Sequence, residues 1–271
     1  LTKVEVTTAQ GALLTLPLLE SPEGFMVETV DGLDPVKANI VSSSYAQRDG
    51  DQYQSSRRGP RDIAIKLNAF LGYGSSIRQI RKYLMGYLMP KSLVSLRFYD
   101  DEIEPVDIVG RVEIFNFPLF TDEPEATISI HCESPDFLAL DPIVVGGITV
   151  ADTSEILINY DGEVSSGIIL ELNADRALPS FSIFHRPAND SVRTLDFTQA
   201  LSAGDKLTIS TVPGAKGAIL TRAGSDSSLL YGITPYSNWI ELEPGENYLR
   251  VYAAGAGIPY NITYRTRYGG L

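Results

Sequence analysis

Ser76 to Met89 (SIRQIRKYLMGYLM) is the only long stretch of this chain whose apolar residues recur at helical spacing, and everything around it alternates. Ile77, Ile80, Leu84 and Leu88 fall on one stripe, with Arg78, Gln79, Arg81 and Lys82 off it. Ser76 followed three positions later by Gln79 is a capping-box start. Pro90 has no N–H and disfavours helix at the residue before it, so the spacing predicts one helix over 76–89. An apolar stripe must be buried, and the neighbouring sequence reads as strand. The expected fold is therefore mainly β, with a single helix laid on β-layers.

The first half alternates cleanly. Ile63, Ile65 and Leu67 share one face, as do Val94, Leu96 and Phe98, then Val112 and Ile114, then Ala126, Ile128 and Ile130. Residues 12–19 and 25–30 read as strands separated by the turn Ser21-Pro22-Glu23-Gly24, and Arg48-Asp49-Gly50-Asp51 carries the Asp-Gly pair of a hairpin. Asp141-Pro142 and Val144–Gly147 read as a short hinge, which divides the chain into domains 1–142 and 143–271. Beyond it, short strands recur between turns: 154–160, 166–173, 180–186, 192–198, 206–212, 216–222, 239–243, 248–253 and 260–267. No helical stripe accompanies them, a pattern that predicts a jelly-roll or sandwich.

Charge and residue usage narrow the function. Net charge is −12, from 13 basic against 21 acidic residues before Pro142 (−8) and 9 against 13 after it (−4). That excess argues against gripping nucleic acid, though not against a channel along which DNA slides. No apolar run is long enough for a transmembrane helix, so membrane insertion is not expected. The absence of an initial Met points to processing or trimming. One cysteine, Cys132, excludes an intrachain disulfide framework.

Catalytic motifs are missing: no G-x-S-x-G, H-E-x-x-H, P-loop or G-x-G-x-x-G occurs. His131 and Cys132 are strand neighbours pointing to opposite faces and cannot pair, and Cys132 reads as a core thiol. Asp100, Asp101, Glu102, Glu104 and Asp107 lack calcium-loop spacing and read as a solvated turn. No enzyme, metal site or cofactor is expected.

Several features taken in order resemble the distal tail protein (Dit) family of long-tailed, siphovirus-type bacteriophages. They are Asp49-Gly50, Arg57-Arg58-Gly59-Pro60-Arg61, the helix with Arg78 and Tyr83, Gly110-Arg111-Val112, Ala126–Phe137 and the ending Tyr264–Leu271. In the second half, LSAGDKLTIS and WIELEPGENYLRVY resemble strands of phage tail jelly rolls. The resemblance implies a tail-tube-like β-sandwich with one helix, followed by a galectin-like jelly-roll sandwich at the periphery. It implies a structural virion protein whose homo-hexameric ring joins tail tube protein to tip hub protein and leaves a channel for DNA. Assembly would occur in the bacterial host cytoplasm, with receptor-binding proteins as further partners on the second domain.

Two sets of contact residues follow from the sequence. Asp49, Asp51, Arg57, Arg58 and Arg61, in an arm over 48–61, offer both signs of charge for orienting a neighbouring subunit. Trp239, Tyr236, Tyr231 and Tyr248 offer stacking surfaces for a sugar, the alternative reading being a carbohydrate-binding module or adhesin.

Overall fold

The computed structural model describes residues 1–18, 24–46, 49–70, 76–101, 104–121, 124–188 and 191–271. The 21–23 part of the first turn, Arg48, Glu102 and Asn189-Asp190 lie outside the described residues. The chain divides into two compact units, one of residues 1–140 with 268–271 and the other of residues 141–267.

The first unit contains β1 (Lys3–Thr8), β2 (Leu13–Pro17), β3 (Phe25–Asp31), β4 (Ala38–Ser44), β5 (Asp51–Arg58) and β6 (Arg61–Ala69). Helix α1 (Ile77–Met85) follows, then β7 (Leu93–Tyr99), β8 (Val106–Asn116), β9 (Glu125–Cys132) and β10 (Phe137–Ala139). Seven strands form one antiparallel path, β2-β1-β7-β8-β9-β6-β3. The two ends of that path, β2 and β3, touch without hydrogen bonding, so the sheet curls over its own core. Alternation supplies that core: Ile63, Ile65 and Leu67 of β6 face inward with Ile128, Ile130 and Cys132 of β9. Ile80, Leu84 and Leu88 close it from α1 and the turn that follows.

The expected capping box is present. Ser76 Oγ accepts from the Gln79 N–H, and the Gln79 side chain accepts from the Ser76 N–H. The helix stops at Met85, four residues before the expected end, because Gly86 caps it and a turn takes over. Leu88 nevertheless stays buried, its N–H donating to Leu84 O at 2.9 Å.

The second unit opens on β11 (Ile143–Ile148), β12 (Ile156–Tyr160), β13 (Ser166–Gly167), β14 (Ile169–Asn173), β15 (Phe181–Pro187) and β16 (Arg193–Phe197). It continues with β17 (Lys206–Ser210), β18 (Gly217–Arg222), β19 (Ser225–Ser228), β20 (Glu241–Leu242), β21 (Gly245–Ala253) and β22 (Pro259–Tyr264). A last short strand, β23 (Arg267–Tyr268), pairs with β10 and brings the chain end back to the first unit.

Two sheets, β11-β22-β14-β17-β18-β19 and β12-β21-β15-β16, enclose one core. Leu170, Leu172, Leu207 and Ile209 from one sheet pack with Phe181, Ile183, Leu195 and Val251 from the other. Among the described residues the fold is mainly β with one α-helix, as the sequence predicts.

The hinge reading of Val144–Gly147 is corrected: these residues lie within β11, paired with β22 from Ile143↔Tyr264 to Ile148↔Pro259. Gly147 serves packing there, since a Cβ would lie 2.5–2.9 Å from the Tyr260 ring. The strand expected over 239–243 is reduced to Glu241–Leu242.

Candidate functional site: the β4–β5 arm and the aromatic segment

Strands β4 and β5 form a two-stranded sheet of their own, apart from the curled sheet. Every residue of β5 is exposed, and all of β4 but Ser43. A bulge between Val41 and Ser42 adds local twist. At the outer end Tyr45 Oη donates to Gln52 Oε1, and Ser42 Oγ donates to Asp51 Oδ2 at 3.0 Å. Gly50, with φ of +87°, makes the turn. Asp49 and Asp51 line a concavity there with Tyr45 and Tyr53. Ile40, Val41, Tyr45 and Tyr53 all stand in solvent.

The three arginines of the proposed contact set separate into three environments. Arg57 is exposed along β5. Arg58 forks onto Asp136, with Nη2 donating to Oδ2 at 3.0 Å and Nη1 to Oδ1, and so ties the arm's base to the body of the unit.

Arg61 is not a surface contact: it is 1% exposed and points into its own unit. Its Nε donates to Pro135 O at 2.7 Å, Nη1 to the carbonyls of Gly32 and Asp34, and Nη2 to Gly269 O at 2.5 Å. The guanidinium lies 4.4 Å from the centre of the Phe137 ring. Burial pulls its pKa down, yet five donors in a planar fork still make arginine the one side chain able to serve four carbonyls at once. A signal for this existed. Arg61 has the parity of Ile63, Ile65 and Leu67, the inward face of β6.

The four aromatics proposed for stacking are not brought into one platform. Trp239 packs partly against the core, and Lys216 Nζ lies 5.7 Å from its ring. Tyr248, on β21, has Arg186 stacked at 4.2 Å, and its hydroxyl donates to Glu246 at 2.9 Å. That acidic neighbour raises the Tyr248 pKa. The segment holding Tyr236 runs along β16, with Thr234 N–H donating to Asp196 O and Asn238 N–H to Thr194 O. Strand β15 lies between β16 and β21, so about 14 Å of sheet separates that segment from Tyr248. Only Tyr231 and Tyr236 stand free, at 71% and 96% exposure.

Both histidines and two carboxylates of the acidic turn have structural partners. His131 Nδ1 meets Asp62 at 2.6 Å on the outer face of β9, while Cys132 is buried on the inner one. His185 is fully buried, with Nε2 2.9 Å from Asn247 Oδ1. In the acidic turn, Asp107 accepts two bonds from Arg97 at 2.7 and 2.9 Å, and Asp100 pairs with the Leu1 amine. Among the described residues no group of three or more acidic, cysteine or histidine side chains could hold a metal ion.

A curled sheet bearing one helix and an exposed arm, followed by a two-sheet sandwich, makes a two-unit β-protein whose fold matches the crystal structure of the phage SPP1 Dit protein. The TM-score is 0.70 at 14% identity, covering 97% of this chain and 98% of that one. That structure is described as a paradigm of the hub adsorption apparatus in phages infecting Gram-positive hosts. Residues 161–268 match the family described as siphovirus-type tail component, C-terminal domain. The likeness to the SPP1 Dit structure is one of fold, and the family match bears on residues 161–268, less than half of the chain. Chains of the phage P2 baseplate in its activated conformation, with Ca or with Sr, give TM-scores of 0.49 and 0.46 at 9% identity. The first pairing covers 99% of both chains and the second 96% and 97%. No curated protein sequence matches the chain.

Proposed function

We propose that this chain is a structural protein of a phage tail tip, and that six copies close into a ring joining the tail tube to the tip hub around a channel for DNA. The β4–β5 arm carries this reading. A two-stranded hairpin with neither face covered is marginal by itself, yet this one exposes Ile40, Val41, Tyr45 and Tyr53 while its base is anchored through Arg58 to Asp136. Such an arm is built to be covered by another chain. In a cyclic assembly the natural cover is the neighbouring copy, which meets it with a different surface. The family match over 161–268 supports the tail setting, and the excess of carboxylates suits a channel that must not retain DNA. A mechanical rather than catalytic role fits the titratable groups, whose histidines meet Asp62 and Asn247 and not the cysteine.

Light scattering on a sizing column with negative-stain imaging tests the ring. A six-fold annulus is expected from the full chain. It should disappear when residues 40–56 are replaced by a two-residue turn, while tryptophan fluorescence, from Trp239 in the second unit alone, stays native. A chain that remains monomeric at every concentration overturns the ring.

A second reading, sugar binding by 143–271, is favoured by one observation, the exposed Tyr231 and Tyr236 on a single segment. Saturable binding to a host-wall polysaccharide that is lost in Tyr236→Ala would establish it.

A further inference from the structure

Charge is laid out unevenly along this chain. From Ile63 to Tyr99 there are six lysines and arginines and no carboxylate, although acidic residues outnumber basic ones 34 to 22 overall. Helix α1 lies inside that span. Its outward face carries Arg78 and Lys82, four positions apart and both exposed, with Arg81 half-buried beside them. Among the described residues, the ion pairs of the first unit use the Leu1 amine, Lys3, Arg58, Arg97, Arg111 and His131, and leave these three cations out.

Two details separate Arg78 and Arg81 from helix stability, whereas Lys82 sits in the last turn, where a cation suits the helix dipole. Arg78 sits in the first turn, at the positive end of the helix dipole, where a cation is unfavourable, and no acidic residue there offsets it. The Nε of Arg81 is buried and has no acceptor among the described residues. The turn between β7 and β8 shows the opposite pattern. Asp100 and Asp107 are taken by the Leu1 amine and Arg97, whereas Asp101 and Glu104 are exposed and enter no ion pair among the described residues.

We infer that the basic face of α1 docks on the β7–β8 turn of a second copy of this chain, Arg78 and Lys82 meeting Asp101 and Glu104. This contact presupposes the ring reading and gives it two unlike patches on every copy, as a heterologous, closing interface requires. Opposed exposed charges set orientation and partner choice, and they make association sensitive to salt.

The test uses two charge reversals in the full chain, Arg78→Glu with Lys82→Glu, and Asp101→Lys with Glu104→Lys. Each is first checked for native melting, and masses are then read by light scattering across protein concentration at low and high salt. The unaltered chain should associate, less strongly at high salt, and either double reversal should weaken association by about tenfold or more. An equal mixture of the two reversed proteins, in which unlike charges face each other again, should recover it. If both reversed proteins assemble like the unaltered chain, the helix face is not the contact and the ring stands without it. If the mixture fails to recover while both variants are folded, the pairing of helix with turn is overturned. A chain that is monomeric throughout removes pairing and ring together.

Discussion

Arg61 Nη2 donates to the carbonyl of Gly269, 208 positions further along the chain, at 2.5 Å. The same guanidinium holds Gly32, Asp34 and Pro135, so a strand start, two loops and the chain end meet on one side chain. Removing it leaves several buried acceptors unpaired together. Arg61→Ala is therefore expected to destabilise the first unit by about 3–5 kcal/mol. Arg61→Lys should recover only part, since an ammonium cannot span the four carbonyls. Denaturant unfolding followed by circular dichroism should show the loss, while Trp239 fluorescence reports an unaltered second unit.

Gly110 lies where β8 crosses Cys132, and a Cβ there would stand 2.7 Å from both Cys132 Sγ and Ile130 Cγ2 and 2.8 Å from His131 O. Gly110→Ala should cost about 1–3 kcal/mol by overpacking. Adding Cys132→Ala should return only a fraction, because the backbone oxygen and Ile130 remain. Equal melting temperatures for Gly110→Ala and the unaltered chain would contradict this packing.

Burial pushes the Cys132 thiol up to about 11, against an ordinary value of 9.0. A thiol reagent at pH 8 should label the native chain only as fast as it opens, and label it at once in denaturant. The same shift sets a pH dependence. Above about pH 9 the unfolded chain loses this proton while the native one keeps it, so the contribution present below that pH is lost as pH rises toward 11.

His185 works in the other direction. Burial lowers its pKa below the ordinary 6.5, so as pH falls through that value the unfolded chain takes up a proton that the native second unit refuses. Stability of the second unit is therefore expected to fall from pH 7 toward pH 5, by at most about 1.4 kcal/mol per pH unit. Asn247, which also accepts from the Glu243 N–H, is the fixed partner. Unfolding read by Trp239 fluorescence should show a shallower slope in His185→Gln.

Alternation was legible in β6 and β9 because one face of each is buried, but in β8 a bulge after Val112 leaves Ile114 exposed; the Ser76–Gln79 cap was legible because it is local. Gly86 ended the helix earlier than Pro90 would have, since a cap can stop a helix before the next forbidden residue. The run Val144–Gly147 looked like a hinge because its paired glycines mimic one. The reason for Gly147, the Tyr260 ring lying where a side chain would be, sits more than a hundred residues away. Arg61 looked like a third surface arginine beside Arg57 and Arg58. Its acceptors come from four distant carbonyls that leave no mark in the local sequence. The arm's Asp-Gly turn was readable, but not that both its strands would stand clear of the main sheet.

The path of the backbone has an evolutionary corollary. Because residues 268–271 belong to the same unit as residues 1–140, the stretch 141–267 lies between two segments of that unit. Its two seams lie at Leu140–Asp141 and Arg267–Tyr268, where β10 pairs with β23. A cassette with neighbouring seams can be exchanged for another of different size or taste while the first unit keeps its own beginning and end. Exchange of that stretch leaves both parts of the first unit's chain in place.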